Sequence, residues 1–183
     1  MIITVNQRRW SFTSKYDISG DAGSYYAQKK LFSFTDRLKI FSDTGEVAAR
    51  IVGYFTFFLP KYDFIIDGIA FKFRTVKFWK GVFTCDGNGR QYKLLRHRDR
   101  NYSIFEGELQ VGAFYKPAIK IGNGDVYTIE ADDGQDVLIL LCLALTVDSS
   151  ENEDNDGSTA TIDLGNFGPE ERPFNNKWRP KTV

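Results

Sequence analysis

The sequence predicts an all-β protein, a closed antiparallel barrel of roughly twelve strands threaded by one central hydrophobic helix. Three observations lead to this fold class. The 183 residues include 16 Phe, 9 Tyr and 16 Gly but only 1 Met, a composition that favours strands and tight turns. Short apolar segments alternate with glycine-containing turns through most of the chain. One long uncharged run, residues 137–147, interrupts that pattern.

The apolar run that follows Asp136 is predicted to be a helix buried on all sides. From Val137 to Val147 no residue is charged, so no face of a helix would be suited to water. A buried strand is the alternative, because periodicity does not separate the two. The length of the run and Asp133 as a potential N-cap favour a helix at about 134–148. Such a helix would reach only about 17 Å, so we expect no transmembrane insertion.

The first half of the chain is predicted to form a meander of strands. Similar units recur around Phe12, Phe34 and Phe58, and each is interpreted as strand, glycine turn and return strand. Further strands are predicted at 69–77, 79–84, 90–96, 102–105, 109–114, 118–121 and 125–131. A sheet of this size avoids exposed edges by closing into a barrel, and such a barrel has a wide lumen. The apolar helix is predicted to fill that lumen.

The domain prediction is one barrel with its helix at residues 1–148, followed by an acidic linker and C-terminal tail at 149–183. Residues 159–164 are compatible with a short strand. Residues 1–131 carry 20 Lys/Arg and 13 Asp/Glu, whereas residues 132–183 carry 4 and 11. This split predicts that the tail folds back on the barrel and competes with anionic ligands, through the acids of 151–156 and anchors at Phe167, Phe174 and Trp178. A disordered solubility tail is the alternative.

The N-terminal residues do not have the pattern of a signal peptide, and the chain has 2 cysteines, Cys85 and Cys142. Because Cys142 lies inside the apolar run, a disulfide framework is not expected. We therefore expect a cytoplasmic protein. Its charges would also allow it to associate with the membrane surface.

No pattern in the sequence predicts catalysis, a metal site or a cofactor. His97 is the only histidine and has no cysteine or carboxylate at ligand spacing. No serine lies in a nucleophile elbow, and no glycine-rich loop joins a strand to a helix. We expect no enzymatic activity.

The segment from residue 72 to residue 100 is the candidate binding region. It contains nine Lys/Arg and two Asp, with aromatic residues among them. The residues expected to bind an anionic head group are Lys72, Arg74, Lys77, Lys80, Arg96 and Arg98. The expected ligand is anionic phospholipid, and we do not expect nucleic acid. Two alternatives stay open: a barrel exterior that is simply charged, and a protein-interaction scaffold that uses the C-terminal tail.

Several segments, taken in order, resemble the LURP-one-related family of the tubby-like superfamily. They are residues 30–41, 43–48, 59–63 and 124–130, followed by Asp136, which opens a hydrophobic stretch that ends at Asp148. The resemblance covers about residues 8–148 and implies a twelve-stranded barrel around a hydrophobic helix. The superfamily includes phosphoinositide-binding tubby domains and phospholipid scramblases. The Lys-x-Arg of tubby domains has no counterpart at 46–52, where only Arg50 is present, and Lys72-Phe73-Arg74 falls one hairpin later.

Overall fold

A computed structural model describes residues 1–10, 13–29, 36–54, 61–77, 80–116, 126–153 and 170–182. Within these ranges the chain forms twelve strands and one α-helix. The strands are β1 (Ile2–Trp10), β2 (Thr13–Gly20), β3 (Gly23–Lys29), β4 (Asp36–Ser42), β5 (Val47–Tyr54), β6 (Lys61–Ile66), β7 (Ile69–Lys77), β8 (Val82–Gly87), β9 (Arg90–Arg96), β10 (Asn101–Glu106), β11 (Leu109–Tyr115) and β12 (Val126–Ala131). The helix is α1 (Val137–Glu153), and a 3-10 turn, Arg98–Arg100, precedes β10.

The twelve strands form one closed antiparallel barrel, which confirms the predicted fold class. Each strand pairs with its neighbours in sequence, and β1 pairs with β12 to close the ring, with Ile2 opposite Glu130. Closure leaves no strand edge open to another chain. The fold is therefore a meander, in which successive connections lie at alternating ends of the barrel.

Helix α1 fills the lumen. From Ile139 to Val147 every residue is at most 1% exposed, and all of them except Thr146 belong to the same apolar cluster as the inward-facing strand residues. The cluster also contains stacked rings, such as Tyr102 and Phe114 with centroids 4.1 Å apart. Burial of the helix side chains contributes about 1.5–3 kcal/mol for each large aliphatic group, in addition to the strand side chains of the same cluster. Among the described residues, no helix is both long enough and apolar enough to cross a bilayer.

The helix starts later and ends later than predicted. Asp136 caps it, because its Oδ1 accepts from the backbone N–H groups of Leu138 at 2.9 Å and Ile139 at 3.2 Å. The prediction that Asp133 would be the cap was wrong; its Oδ1 instead lies 3.0 Å from the amine of Met1. The helix continues to Glu153, so the first residues assigned to the linker form its last turn.

Several predicted features lie outside the described residues. These are the phenylalanine repeat at positions 12, 34 and 58, the strand at 118–121, the strand at 159–164, residues 154–156 of the acidic run, and Phe167. The strand predicted at 79–84 begins at Val82. Strand β1 was not predicted as a strand, because its polar residues Asn6 and Gln7 obscure the alternation.

Candidate anion-binding surface

The predicted cations lie on and beside the outer surface of β7, β8 and β9. Along β7 the rings of Phe71 and Phe73 are buried in the barrel, while Lys72 is exposed and Arg74 is half-buried. This is the alternation expected of a strand with one face in the core. We call the outer surface that carries Lys72, Arg74, Lys77 and Lys80 the basic wall.

Lys72 and Arg74 have acidic neighbours on the wall. The strand register places Lys72 between Asp63 on β6 and Asp86 on β8. Arg74 Nη1 lies 2.9 Å from Asp63 Oδ1 and also donates to the carbonyl oxygen of Tyr62 at 2.7 Å. The carboxylates of neighbouring strands therefore neutralise part of the positive charge of Lys72 and Arg74.

Lys77 and Lys80 hold a carboxylate from the C-terminal segment. Lys77 Nζ donates to both carboxylate oxygens of Glu171, at 2.8 and 2.9 Å. Lys80 Nζ lies 3.5 Å from Glu171 Oε2. The hydrogen bond from Lys77 lowers the pKa of Glu171 below its ordinary value. These two cations form a site at which a small anionic group is already bound.

Arg96 and Arg98 are placed differently. The backbone N–H of Arg98 donates to Glu170 Oε1 at 2.9 Å, and its side chain is exposed. Arg96 ends β9 beside Gly81, whose φ is +58°; a Cβ added at Gly81 would lie 2.4 Å from that of Arg96. Strand alternation turns Arg96 away from the face that carries Leu95. The side chain of Arg96 thus does not lie on the outer face that carries the other predicted cations.

Residues 170–182 form a strap along the outside of the barrel. Beyond Glu171, Phe174 contacts the rings of His97 and Tyr115, with centroids 5.1 and 6.1 Å apart. Trp178 Nε1 donates to the carbonyl oxygen of Gln110 at 3.1 Å. The backbone N–H of Lys181 donates to Asp132 Oδ1 at 2.7 Å, at the opposite end of the barrel from Lys77. The predicted fold-back of the tail is confirmed for these residues.

The strap lies beside a small apolar cluster outside the main core. Val82, Leu95 and Phe105 are buried although they belong to a cluster separate from that of the lumen. The guanidinium of Arg172 lies 4.9 Å from the ring centroid of Phe105. Apolar contacts and a cation–π contact therefore add to the ion pairs that hold the strap.

His97 lies beneath the strap and is buried. Its Nε2 is 2.9 Å from Ser103 Oγ. Burial lowers the pKa of His97, and the nearby carboxylate of Glu170 acts in the opposite direction. Its surroundings are those of a packed structural histidine. The described residues contain no group of three or more His, Cys, Asp or Glu that could hold a metal ion.

A second group of buried polar side chains lies near the C-terminal part of the helix. Lys116 Nζ lies 2.6 Å from Asp148 Oδ1, with both side chains almost fully buried. Tyr16 Oη donates to Asp148 Oδ2 at 2.9 Å. Cys85 and Cys142 are free and buried, and burial raises the pKa of the Cys85 thiol to about 12, so this thiol is not an activated nucleophile.

Sequence reasoning missed Glu170 and Glu171, which contact the candidate cations, and the ion pair of Lys116 with Asp148. The acids expected to cover the basic region were those of 151–156. A sequence signal for Glu170 and Glu171 did exist, because they lie within four residues of the predicted anchor Phe174.

Comparisons with known proteins give no relative for this chain: no family model, no curated protein and no solved structure matches it.

Proposed function

We propose that this protein is a non-enzymatic binding module for anionic phospholipid head groups, which it recognises through the basic wall. The observation that supports this most directly is the Glu171 carboxylate held by Lys77 and Lys80. Ammonium groups that bind a carboxylate in this geometry would also bind the anionic oxygens of a phosphate group. The strap then acts as an intramolecular substitute for the ligand.

The proposal includes membership of the tubby-like superfamily, in its LURP-one-related branch. Its support is the order of motifs in the sequence together with a twelve-stranded barrel around a hydrophobic helix. The proposed location is cytoplasmic, with reversible attachment to the membrane surface. Lipid scrambling is not part of the proposal, because the apolar helix is occupied by the core.

Flotation with lipid vesicles tests the proposal. We expect the protein to float with vesicles of phosphatidylcholine plus phosphatidylserine or a phosphoinositide, and not with phosphatidylcholine alone. Lys77→Ala/Lys80→Ala should bind several-fold more weakly, since each cation near the surface contributes about 1 kcal/mol. The matched control is Lys39→Ala/Arg50→Ala, on strands β4 and β5.

Equal flotation with neutral and anionic vesicles would contradict lipid recognition by charge. Binding of a protein partner by the full chain, lost when residues 170–183 are removed and unaccompanied by vesicle binding, would favour the scaffold function instead. The strap anchors Phe174 and Trp178 already contact the barrel, so a scaffold would have to release them first.

A further inference from the structure

The two ends of the barrel carry opposite charge. At one end lie the connections 21–22, 43–46, 67–68, 88–89, 107–108 and 132–136, all of them described. These connections contain no Lys or Arg, and the cationic groups beside them include Arg90 at the start of β9, Lys181 of the strap and the amine of Met1. Their acidic residues are Asp21, Asp43, Glu46, Asp67, Glu108, Asp132, Asp133 and Asp136. We call this end, where the helix begins, the acidic end.

The opposite end carries more cations than acids, and we call it the basic end; its acids include Asp36, Asp99, Glu151 and Glu153, at strand, turn and helix termini. The described cations at or near the strand termini there include Arg8, Lys15, Lys29, Lys61, Lys77, Lys80, Arg96, Arg98, Arg100 and Lys116. Lys29 and Lys116 are buried, and Lys116 is paired with Asp148. Arg8, Lys15, Lys61, Lys77 and Arg98 are exposed, and Arg8 Nε lies 2.7 Å from Asp17 Oδ2. Glu170 and Glu171 of the strap contact groups at this end. Anionic groups of the chain itself are thus drawn to it.

The cations of the basic end surround the barrel axis and are not confined to one wall. In the ring of strands, β2 lies six positions from β8 in either direction, so Lys15 is across the barrel from the basic wall. A flat surface that contacts the wall side-on cannot also approach Lys15. A flat surface that contacts the basic end approaches Lys15, Lys61 and Lys77 together.

Among the described residues, exposed apolar side chains do not distinguish the two ends. Tyr54, Val76 and Val126 are about half-exposed near the basic end, and Ile2 and Leu109 are at least as exposed near the acidic end. Charge is therefore the property that separates them. A body with cations at one end and carboxylates at the other is oriented by the negative potential of an anionic bilayer, and the acidic end is repelled.

We propose that the protein docks end-on, with the basic end against an anionic lipid bilayer and the acidic end pointing away. This inference rests on the proposed lipid binding and assigns its geometry. The basic wall contributes mainly through Lys77 and Lys80, at its edge. Lys72 lies five residues from the end of β7, about 16 Å at the rise of a strand, beyond the screening length of about 8–10 Å.

Charge reversal on the wall opposite the candidate site tests the geometry. Arg8→Glu/Lys15→Glu changes two exposed residues, each about 7 Å from the basic terminus of its strand. End-on docking predicts at least about a fivefold loss of partitioning onto phosphatidylcholine–phosphatidylserine vesicles. The control Lys39→Glu/Arg50→Glu makes the same charge change at mid-barrel and should lose less than about twofold. Thermal melts check that both variants fold.

The outcomes separate this inference from the proposed function. If Lys72→Glu lost binding while Arg8→Glu/Lys15→Glu bound like wild type, docking would be side-on and the lipid-binding function would stand. If wild type ignored anionic vesicles, both proposals would fail. Binding to heparin without binding to vesicles would likewise overturn end-on membrane docking.

Fluorescent labels report the orientation directly. Lys61→Cys and Asp67→Cys lie at opposite ends of β6, and the native Cys85 and Cys142 are buried and should not react. An environment-sensitive dye at position 61 should shift to the blue when vesicles are added, and a dye at position 67 should not. Equal shifts at both positions, or a shift only at 67, would contradict end-on docking.

Discussion

Lys77 on β7 and Glu171 on the strap are joined by two hydrogen bonds, from one ammonium to both carboxylate oxygens at 2.8 and 2.9 Å. They are 94 residues apart in the chain. The pair connects the edge of the basic wall to the acidic C-terminal segment. Any anion that binds at Lys77 must therefore displace Glu171 or share the cation with it.

Removing the strap carboxylates should strengthen lipid binding. In Glu170→Gln/Glu171→Gln the side chains keep their size but no longer compete as anions, so the affinity for anionic vesicles should rise several-fold. Flotation measures the change. The control Asp43→Asn/Glu46→Gln removes the same charge at the acidic end and should have little effect. An unchanged affinity of Glu170→Gln/Glu171→Gln would show that the strap does not compete.

The helix should not tolerate a charge on any face. Leu141 is fully buried in the lumen, so Leu141→Asp would bury an unpaired carboxylate and prevent folding. Leu141→Ala, which leaves a cavity, should cost about 2–5 kcal/mol in the free energy of unfolding. Urea denaturation measures the second variant. A Leu141→Asp protein that melts cooperatively would disprove the burial of the helix.

Removing only one partner of the ion pair in the lumen should destabilise the protein. Lys116→Met would leave the carboxylate of Asp148 buried without its cation, at a cost of about 3–5 kcal/mol. Lys116→Met/Asp148→Asn should recover part of that loss, because the amide carries no charge and can still accept from Tyr16. Chemical denaturation of Lys116→Met, Asp148→Asn and the double variant measures the coupling. A loss within about 1 kcal/mol for Lys116→Met alone would argue against the pair's burial.

His97 should make stability depend on pH. Burial lowers its pKa in the folded state, so the unfolded chain binds more protons and stability falls as the pH drops through about 6.5. For one proton the slope cannot exceed about 1.4 kcal/mol per pH unit. Between about pH 7.5 and 5.5, wild type should lose more unfolding free energy than His97→Gln. The same loss in both proteins would mean that folding does not change the pKa of His97.

The barrel could be predicted from local sequence because its strands carry local signals. β9, Arg90–Arg96, was predicted with the observed bounds, since Asn88-Gly89 marks the preceding turn and alternation marks the strand. The helix was predicted because residues 137–147 carry no charge on any face. Its start was missed by a few residues because Asp133 and Asp136 are equally good caps in sequence, and only the approach of Met1 to Asp133 separates them.

The candidate site was less predictable because it depends on tertiary contacts. The cations were visible as a cluster, but the pairing of Lys77 and Lys80 with Glu171 spans most of the chain and has no periodic signal. The charge of the barrel ends was also hidden, because residues such as Asp21 and Asp67 become neighbours only through the topology of the meander. Strand order had to be known before the turns could be sorted by end.

Equilibrium binding of the full chain to neutral and anionic vesicles over a range of salt concentrations tests the central claim most directly. The account predicts binding only to anionic vesicles, with an affinity that falls steeply as salt rises, because exposed cations are screened over about 8–10 Å. Glu170→Gln/Glu171→Gln should give the same dependence from a higher starting affinity. Binding that is equal for both kinds of vesicle, or insensitive to salt, would contradict recognition of lipid by the basic surface.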